Sequence, residues 1–278
     1  MRTISTPKLI ATHVSLMAAC AIVLYPVLWV IKMALTPSQG FSMSPSPIPD
    51  QVSAHNFQHL ITMNDGIFWR QLGNSIVISV ATTVIGVALA CTAAYAFSRF
   101  RFPGRALGMA GFLITQMFPG VVMAIPLYIL LNRLDLLNTL SGLVLVYSTS
   151  SLPFCVWMLK GYFDTIPRDL EEAAIMDGAS QWVIFTQVIL PLARPAIVVT
   201  ALFSFMTAWN EFILAATFLT KREMFTLPMV LQSFVGSYST DWGYFAAGAI
   251  IVSLPVMLLF FALQKYLVGG LTAGAVKG

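Results

Sequence analysis

Three carboxylates, Asp169, Glu171 and Glu172, open a polar stretch that continues Ala173-Ala174, Met176, Asp177, Gly178 and, after nine intervening residues, Val188-Ile189-Leu190-Pro191. Those residue types suit recognition rather than catalysis. Asp169 can cap a short helix with Glu172 three positions on, and the acidic groups complement the helix dipole. Gly178 then supplies the left-handed conformation that ends it. A helix of about two turns does not persist alone in water, so it depends on docking. Leu170, Ala173, Ala174 and Asp177 follow helical spacing along one side, with Ile175 and Met176 adding apolar surface. The two alanines permit close approach, and Glu171 and Glu172 can meet basic groups of a partner, as in helix-in-groove recognition. Ser180 can start a second helix through Trp182, Val183, Ile184 and Phe185 that Pro191 stops.

Chemistry of other kinds lacks its residues. The isolated His13, Cys20, Cys91 and Cys155 assemble no nucleophile, base or metal cluster, so no catalytic residue is expected. The cysteines read as small buried hydrophobes. His55 and His59 stand one helical turn apart with no Glu of a zinc-protease pattern and no third ligand, so they read as a solvated loop and no metal is expected.

The elements that position the polar stretch are membrane spans. Of 278 residues, 58% are hydrophobic and 9% charged, with mean hydropathy +0.83; soluble domains carry about 25% charged residues, so the chain belongs in a bilayer. A net charge of +4 without a basic stripe argues against nucleic acid. A spanning helix needs roughly 20 apolar residues. Six segments qualify: Leu9 to Leu35, Leu72 to Phe97, Ala106 to Leu131, Leu136 to Leu159, Pro195 to Leu219 and Gly243 to Leu267. Met17-Ala18-Ala19-Cys20 loosely resembles a lipoprotein signal, but the apolar run continues to Ile31 and favours an uncleaved span. Placing the N-terminus inside puts Arg2, Lys8, Arg99, Arg101, Arg105, Lys160, Arg168, Arg194, Lys265 and Lys277 at the cytoplasmic side, with both termini and the polar loop at 161–194.

Within the spans, Pro26, Pro119, Pro126, Pro153 and Pro255 introduce bends, and Gly86, Ala88, Ala90, Ala93 and Ala94 allow close helix approach. Ser148-Thr149-Ser150-Ser151 and Thr115-Gln116 are expected to face protein or a water-filled path. Glu211 is the one acidic residue inside an expected span, where a central charge costs about 2.5–3.5 kcal/mol. It serves either a solute path or gate, or an interhelical hydrogen-bonding anchor.

The Glu172-Ala173-Ala174, Gly178 and Ile189-Leu190-Pro191 spacing resembles the cytoplasmic "EAA" coupling loop of ABC importer permeases. Residues 94–104 (AYAFSRFRFPG), Gln116-Met117-Phe118-Pro119, Ile125-Pro126-Leu127-Tyr128 and the ending GLTAGAVKG are similar to strings of maltose- and trehalose-type carbohydrate permeases, the MalG/SugB group. The resemblance runs through nearly the whole chain. It implies an all-α polytopic membrane protein with six transmembrane helices, the type I ABC importer permease fold and a cytoplasmic coupling helix. It implies residues 1–70 as first span and outer loop, 71–268 as permease core and 269–278 as a cytoplasmic tail.

The same resemblance implies a prokaryotic cytoplasmic (inner) membrane and a second, different permease subunit. It also implies an ATPase dimer carrying ATP and Mg, and an extracytoplasmic sugar-binding protein. No lysine here precedes Ser or Thr, so the phosphate-cradling loop is absent and this chain binds no cofactor of its own. Coupling then falls to Glu171, Glu172, Ala173, Ala174, Met176, Asp177, Gly178, Leu190 and Pro191. The tail, with Thr272, Gly274 and Lys277, extends toward the ATPase, and residues 220–242 face the binding protein. Trp209-Asn210-Glu211-Phe212 resembles a recurrent string of the group, which makes Asn210 and Glu211, with Gln116, candidates for the path or gate. The expected function is ATP-driven import of an oligosaccharide, a disaccharide such as maltose or trehalose, by alternating access. Left open are a permease for a non-sugar solute and an ion-driven secondary transporter; the single Glu211 and the lack of a clear internal repeat count against the latter.

Overall fold

The computed structural model describes residues 6–236 and 238–275. Among the described residues four helices are long and apolar enough to cross a bilayer: α1 (Thr6–Leu35), α2 (His55–Arg99) from Asp65 onward, α5 (Leu140–Phe163) and α12 (Trp242–Ala275) as far as Tyr266. Two bent helix pairs bring the number to six if each is one span. Among the described residues the lone β-pairing is the isolated bridge between Val235 and Thr240.

The expected span from Ala106 to Leu131 bends at Pro119, as that proline implies. α3 (Arg105–Gln116) and α4 (Gly120–Arg133) meet at 101°. Pro119 has no N–H to donate and adopts φ −59°, ψ 130°, while its ring disfavours helix at Phe118. Pro26, Pro126, Pro153 and Pro255 instead remain inside their helices. The expected span from Pro195 to Leu219 is also two pieces, α9 (Arg194–Asn210) and α10 (Ile213–Phe218), because Glu211 takes an extended conformation (ψ 126°).

The chain divides into two compact units, one up to Trp69 together with Val230–Leu254, the other Arg70–Met229 with the chain from Pro255 onward. In the first unit α1 presents its apolar length outward, and only its last turn is buried. Lys32 there donates to the carbonyls of Ser44 (3.4 Å) and Ser46 (2.6 Å), which folds the following loop back. Asn56 donates to three carbonyls, those of Met33, Ala34 and Thr36. His59 stacks on Tyr244 at 4.1 Å.

The second unit is built on α2, α5 and α9. Lipid tails are as apolar as leucine, so close packing rather than water exclusion joins such helices. Gly86 shows how tight it is: a Cβ there would stand 3.1 Å from the Ser151 hydroxyl. Ala90 and Ala94, one and two turns on, are fully buried. Two apolar clusters form at opposite ends of α5. One gathers Leu131, Leu143, Val146 and Phe218; the other gathers Ala94, Leu159, Phe163, Ile184 and Ile189.

Each end is locked by polar side chains. Near the first cluster, Asn138 (φ 55°) accepts from the Thr220 N–H (2.6 Å), the Thr220 hydroxyl (2.9 Å) and the Lys221 N–H (3.1 Å). Gln71 donates to the Arg222 carbonyl, Asn74 to those of Glu223 and Phe225, and Ser75 accepts from the Leu227 N–H. The second cluster carries the polar helix.

Candidate functional site

The polar helix is α6 (Asp169–Met176), two turns as the spacing predicts. Its N-cap is Arg168 rather than Asp169, with no side-chain cap, so the expected capping box is corrected. The carbonyl of Arg168 instead accepts the N–H groups of Glu171 (2.9 Å) and Glu172 (3.0 Å). At the other end Gly178 has φ +81°. Its N–H reaches the Ile175 carbonyl (2.9 Å) and the Ala179 N–H reaches that of Ala174 (2.9 Å), the paired bonds of a Schellman terminus.

Ser180 starts the next helix as its sequence position implies, accepting from the Val183 N–H at 3.4 Å. Pro191 does not stop it, which corrects that expectation. α7 (Gln181–Val183) widens into a π-helical turn over Ile184–Ile189 and continues as α8 (Leu190–Leu192), with Pro191 near its start where a missing N–H is tolerated. The break comes at Ala193 (ψ 1°), ahead of Pro195, with a bend of 77°.

The acidic residues of α6 part company. Glu171 turns inward, where it pairs with Arg99 at the end of α2 and accepts from the Tyr95 hydroxyl at 3.1 Å. Arg99 also donates to the Ile166 carbonyl (3.0 Å) and to Ser98 (3.1 Å). The Glu171 carboxylate is therefore satisfied within the chain, which corrects its expected reach toward a partner's basic group. Ala174 packs against the apolar cluster beneath. Residues advance about 100° around a helix, so Leu170, Ala173, Met176 and Asp177 lie on the opposite, exposed side, with Met176 87% accessible. Leu190 packs on the cluster and Pro191 is exposed.

A second latch holds the ends of α2 and α5. Asp164 accepts from Ser98 (2.6 Å) and Lys160 (2.5 Å). Burial alone would raise its pKa, but the Lys160 and Ser98 bonds and nearby Arg105 outweigh that and hold it below the ordinary 3.8. A depressed carboxylate favours the folded state above its unfolded pKa and loses that contribution as pH falls through the lowered value. This latch therefore persists at neutral pH.

The path candidates do not converge. Glu211 accepts from the Tyr147 hydroxyl (2.6 Å) and from the N–H groups of Leu214 (2.9 Å) and Ala215 (3.1 Å), so it satisfies the first turn of α10 and ties it to α5. That is the geometry of an anchor. Asn210 donates to Met206 in its own helix (2.8 Å), and Gln116 ends α3 exposed. Ser148 and Ser151 are buried, whereas Thr149, Ser150 and Thr115 are exposed and bond back to their own helices. Thr272 and Gly274 fall in α12, and Lys277 lies outside the described residues.

The family model of the binding-protein-dependent transport system inner membrane component matches residues 59–272. The chain belongs to that family. The permease is 38% identical to the maltose/maltodextrin transport system permease protein MalG of Salmonella typhimurium, covering 98% of this chain and 96% of that one. It is 38% identical to the trehalose transport system permease protein SugB of Mycobacterium tuberculosis (92% and 93%) and 36% identical to the diacetylchitobiose uptake system permease protein DasC of Streptomyces coelicolor (91% and 92%). Its fold matches the crystal structure of a bacterial ABC transporter involved in the import of the acidic polysaccharide alginate, with a TM-score of 0.79 at 22% identity over 96% of this chain and 99% of that one. Family membership sets aside the secondary-transporter reading. The fold is that of a type I ABC importer permease.

Reading the permease as a sequence missed Tyr95, Ser98, Arg99 and Asp164 as parts of its polar end. The available signal was the charge opposition between Arg99, at the exit of a span, and the acidic start of α6; Arg101 and Arg105 offered the same charge, so sequence could not choose. For Glu211, alanine replacement removes three accepted bonds and strands the buried Tyr147 hydroxyl, which costs about 1–3 kcal/mol. Thermal unfolding of the purified permease complex should show that loss, with Tyr147→Phe milder. Unchanged unfolding of Glu211→Ala would rule out the anchor.

Proposed function

We propose that this permease forms half of the membrane channel of an ATP-driven oligosaccharide importer, its cargo a disaccharide such as maltose or trehalose. The observation that carries this is 36–38% identity across more than nine-tenths of the chain to permeases named for maltose/maltodextrin, trehalose and diacetylchitobiose. A second, different permease subunit completes the channel. An ATPase dimer, with its ATP and Mg, grips the exposed residues of α6 (Leu170, Glu172, Ala173, Met176, Asp177), and an extracytoplasmic binding protein delivers sugar. The chain itself is not an ATPase.

In this reading α6, both termini and the tail with Thr272, Gly274 and Lys277 lie in the cytoplasm of a prokaryote. ATP closes the ATPase dimer, which moves α6. The Arg99–Glu171 pair and the apolar cluster pass that displacement to α2, α5 and α9 because they hold α6 firmly. The equilibrium between inward-open and outward-open states shifts by as much as the ATPase distinguishes them. Residues 220–227, pinned by Asn138, Gln71, Asn74 and Ser75, offer the binding protein a fixed footing.

The test is purification of the complex through this subunit, identification of its companions, and measurement of ATP hydrolysis with candidate sugars and the cognate binding protein. Stimulation by a disaccharide is the expected result. A preparation that never contains an ATP-hydrolysing chain, or one stimulated only by a non-sugar solute, would overturn it.

A further inference from the structure

Four basic side chains gather at one end of the second unit, the end of α5 away from α6. Arg70 stands where α2 enters its apolar length, beside Gln71, which donates to the Arg222 carbonyl at 2.9 Å. Arg133 closes α4, and Asn138 in the turn that follows accepts from the Lys221 N–H at 3.1 Å. The Asn138 N–H also reaches the Phe218 carbonyl (3.0 Å). The turn after α4 and segment 220–227 therefore form one braced cap that carries Arg133, Lys221 and Arg222, with Arg70 at its edge.

All four side chains are exposed, and among the described residues none of them enters an ion pair. Asp135 is exposed in the same turn and Glu223 is half-buried, so positive charge prevails. Lys and Arg normally concentrate in cytoplasmic loops. With α6 on the cytoplasmic side this cap lies on the other, where unpaired cations attract an anionic partner from solution. Their field reaches about 10 Å at 0.1 M salt. Charges at the rim of a contact act mainly on the rate of encounter and turn away partners of like sign.

A disaccharide of the maltose kind carries no charge, so the cargo is not what these cations select. Lipid headgroups are the weaker fit, since Lys221 and Arg222 sit on a hydrogen-bonded segment after α10 rather than on a span. The family is binding-protein-dependent. A braced cap, with exposed Leu134 beside Arg133, can be docked without the cost of ordering a loop. We propose that this cap is an electrostatic docking surface for an acidic face of the binding protein. The inference rests on the importer reading above and adds the chemistry of the contact: Arg70 and Arg133, outside segment 220–227, share in it, and Asp135 opposes it.

The binding protein that stimulates hydrolysis in the test above is brought to the intact transporter in nanodiscs containing phosphatidylglycerol, and its association and dissociation are followed by biolayer interferometry. Raising salt from about 50 to about 500 mM should slow association about tenfold and change dissociation far less. Arg70→Gln, Arg133→Gln, Lys221→Gln and Arg222→Gln combined should flatten that salt dependence, and Asp135→Asn should speed association at low salt. Arg133→Glu alone, on one exposed side chain, should slow association at least about fourfold even if the combined variant does not assemble. Association indifferent to salt, a native salt slope in the combined variant, or native association in Arg133→Glu would sink the docking surface. So would phosphatidylglycerol held by the native complex and released by the combined variant in native mass spectrometry while association stays native. Hydrolysis measured alongside separates the two readings: sugar stimulation with salt-indifferent association removes the cap and leaves the importer, whereas stimulation by no binding protein removes both.

Discussion

Replacing Arg99 with alanine is expected to cost the permease about 3–5 kcal/mol, the usual penalty for removing one member of a buried ion pair. The side chains of Arg99 and Glu171 are 7% and 11% exposed. Without the guanidinium, Glu171 retains only the Tyr95 hydroxyl for its charge, and the carbonyl of Ile166 loses its donor. A carboxylate in that position must take up a proton or pull α6 away from its seat. Thermal unfolding of the purified complex should fall sharply for Arg99→Ala. Arg99→Met combined with Glu171→Leu should recover much of the loss, because well-packed apolar pairs often replace buried ion pairs at little cost. If Arg99→Ala unfolds like the native complex, α6 is held by other contacts and the displacement route through this pair fails.

Gly178→Pro carries the second large effect. A Cβ at this position meets nothing within 4 Å, so crowding is not the obstacle. The backbone is: φ stands at +81°, proline is fixed near −65°, and the N–H that bonds to Ile175 disappears. The terminus of α6 must unwind, and its exposed residues lose their common side. Membrane insertion and abundance should stay near native while sugar-stimulated ATP hydrolysis by the reconstituted complex is abolished. Gly178→Ala keeps the N–H and pays only about 1–2 kcal/mol for a left-handed residue, so it should retain part of the stimulation. Normal stimulation in Gly178→Pro would remove α6 from the coupling mechanism.

Local features of α6 were legible where one residue dictates the backbone. Gly178 and Ser180 behave as their side chains require. Asp169 does not cap, because Arg168 takes that place and its carbonyl already receives the first helical N–H groups. Pro191 ends nothing, because it falls near the start of α8, after the π-helical turn, where a missing N–H is tolerated. Proline reduces the number of local choices without selecting among them: Pro119 sits at a 101° bend while Pro126 and Pro153 lie inside helices.

By itself the sequence determined that the chain is all-helical, spans a membrane and carries a short polar helix, and its resemblance to a family marked it as a permease. Apolar run length and loop charge are properties of consecutive residues, and local physics reads them directly, whereas the Glu-Ala-Ala to Gly spacing speaks through the family resemblance. Only the tertiary structure decided that Glu171 faces inward to Arg99, that Met176 and Ala173 face outward, and that Glu211 anchors α10 to Tyr147. Those pairings join residues 64 and 72 positions apart. Several equivalent charges and hydroxyls compete along such distances, and packing of α2, α5 and α9 selects which of them meet.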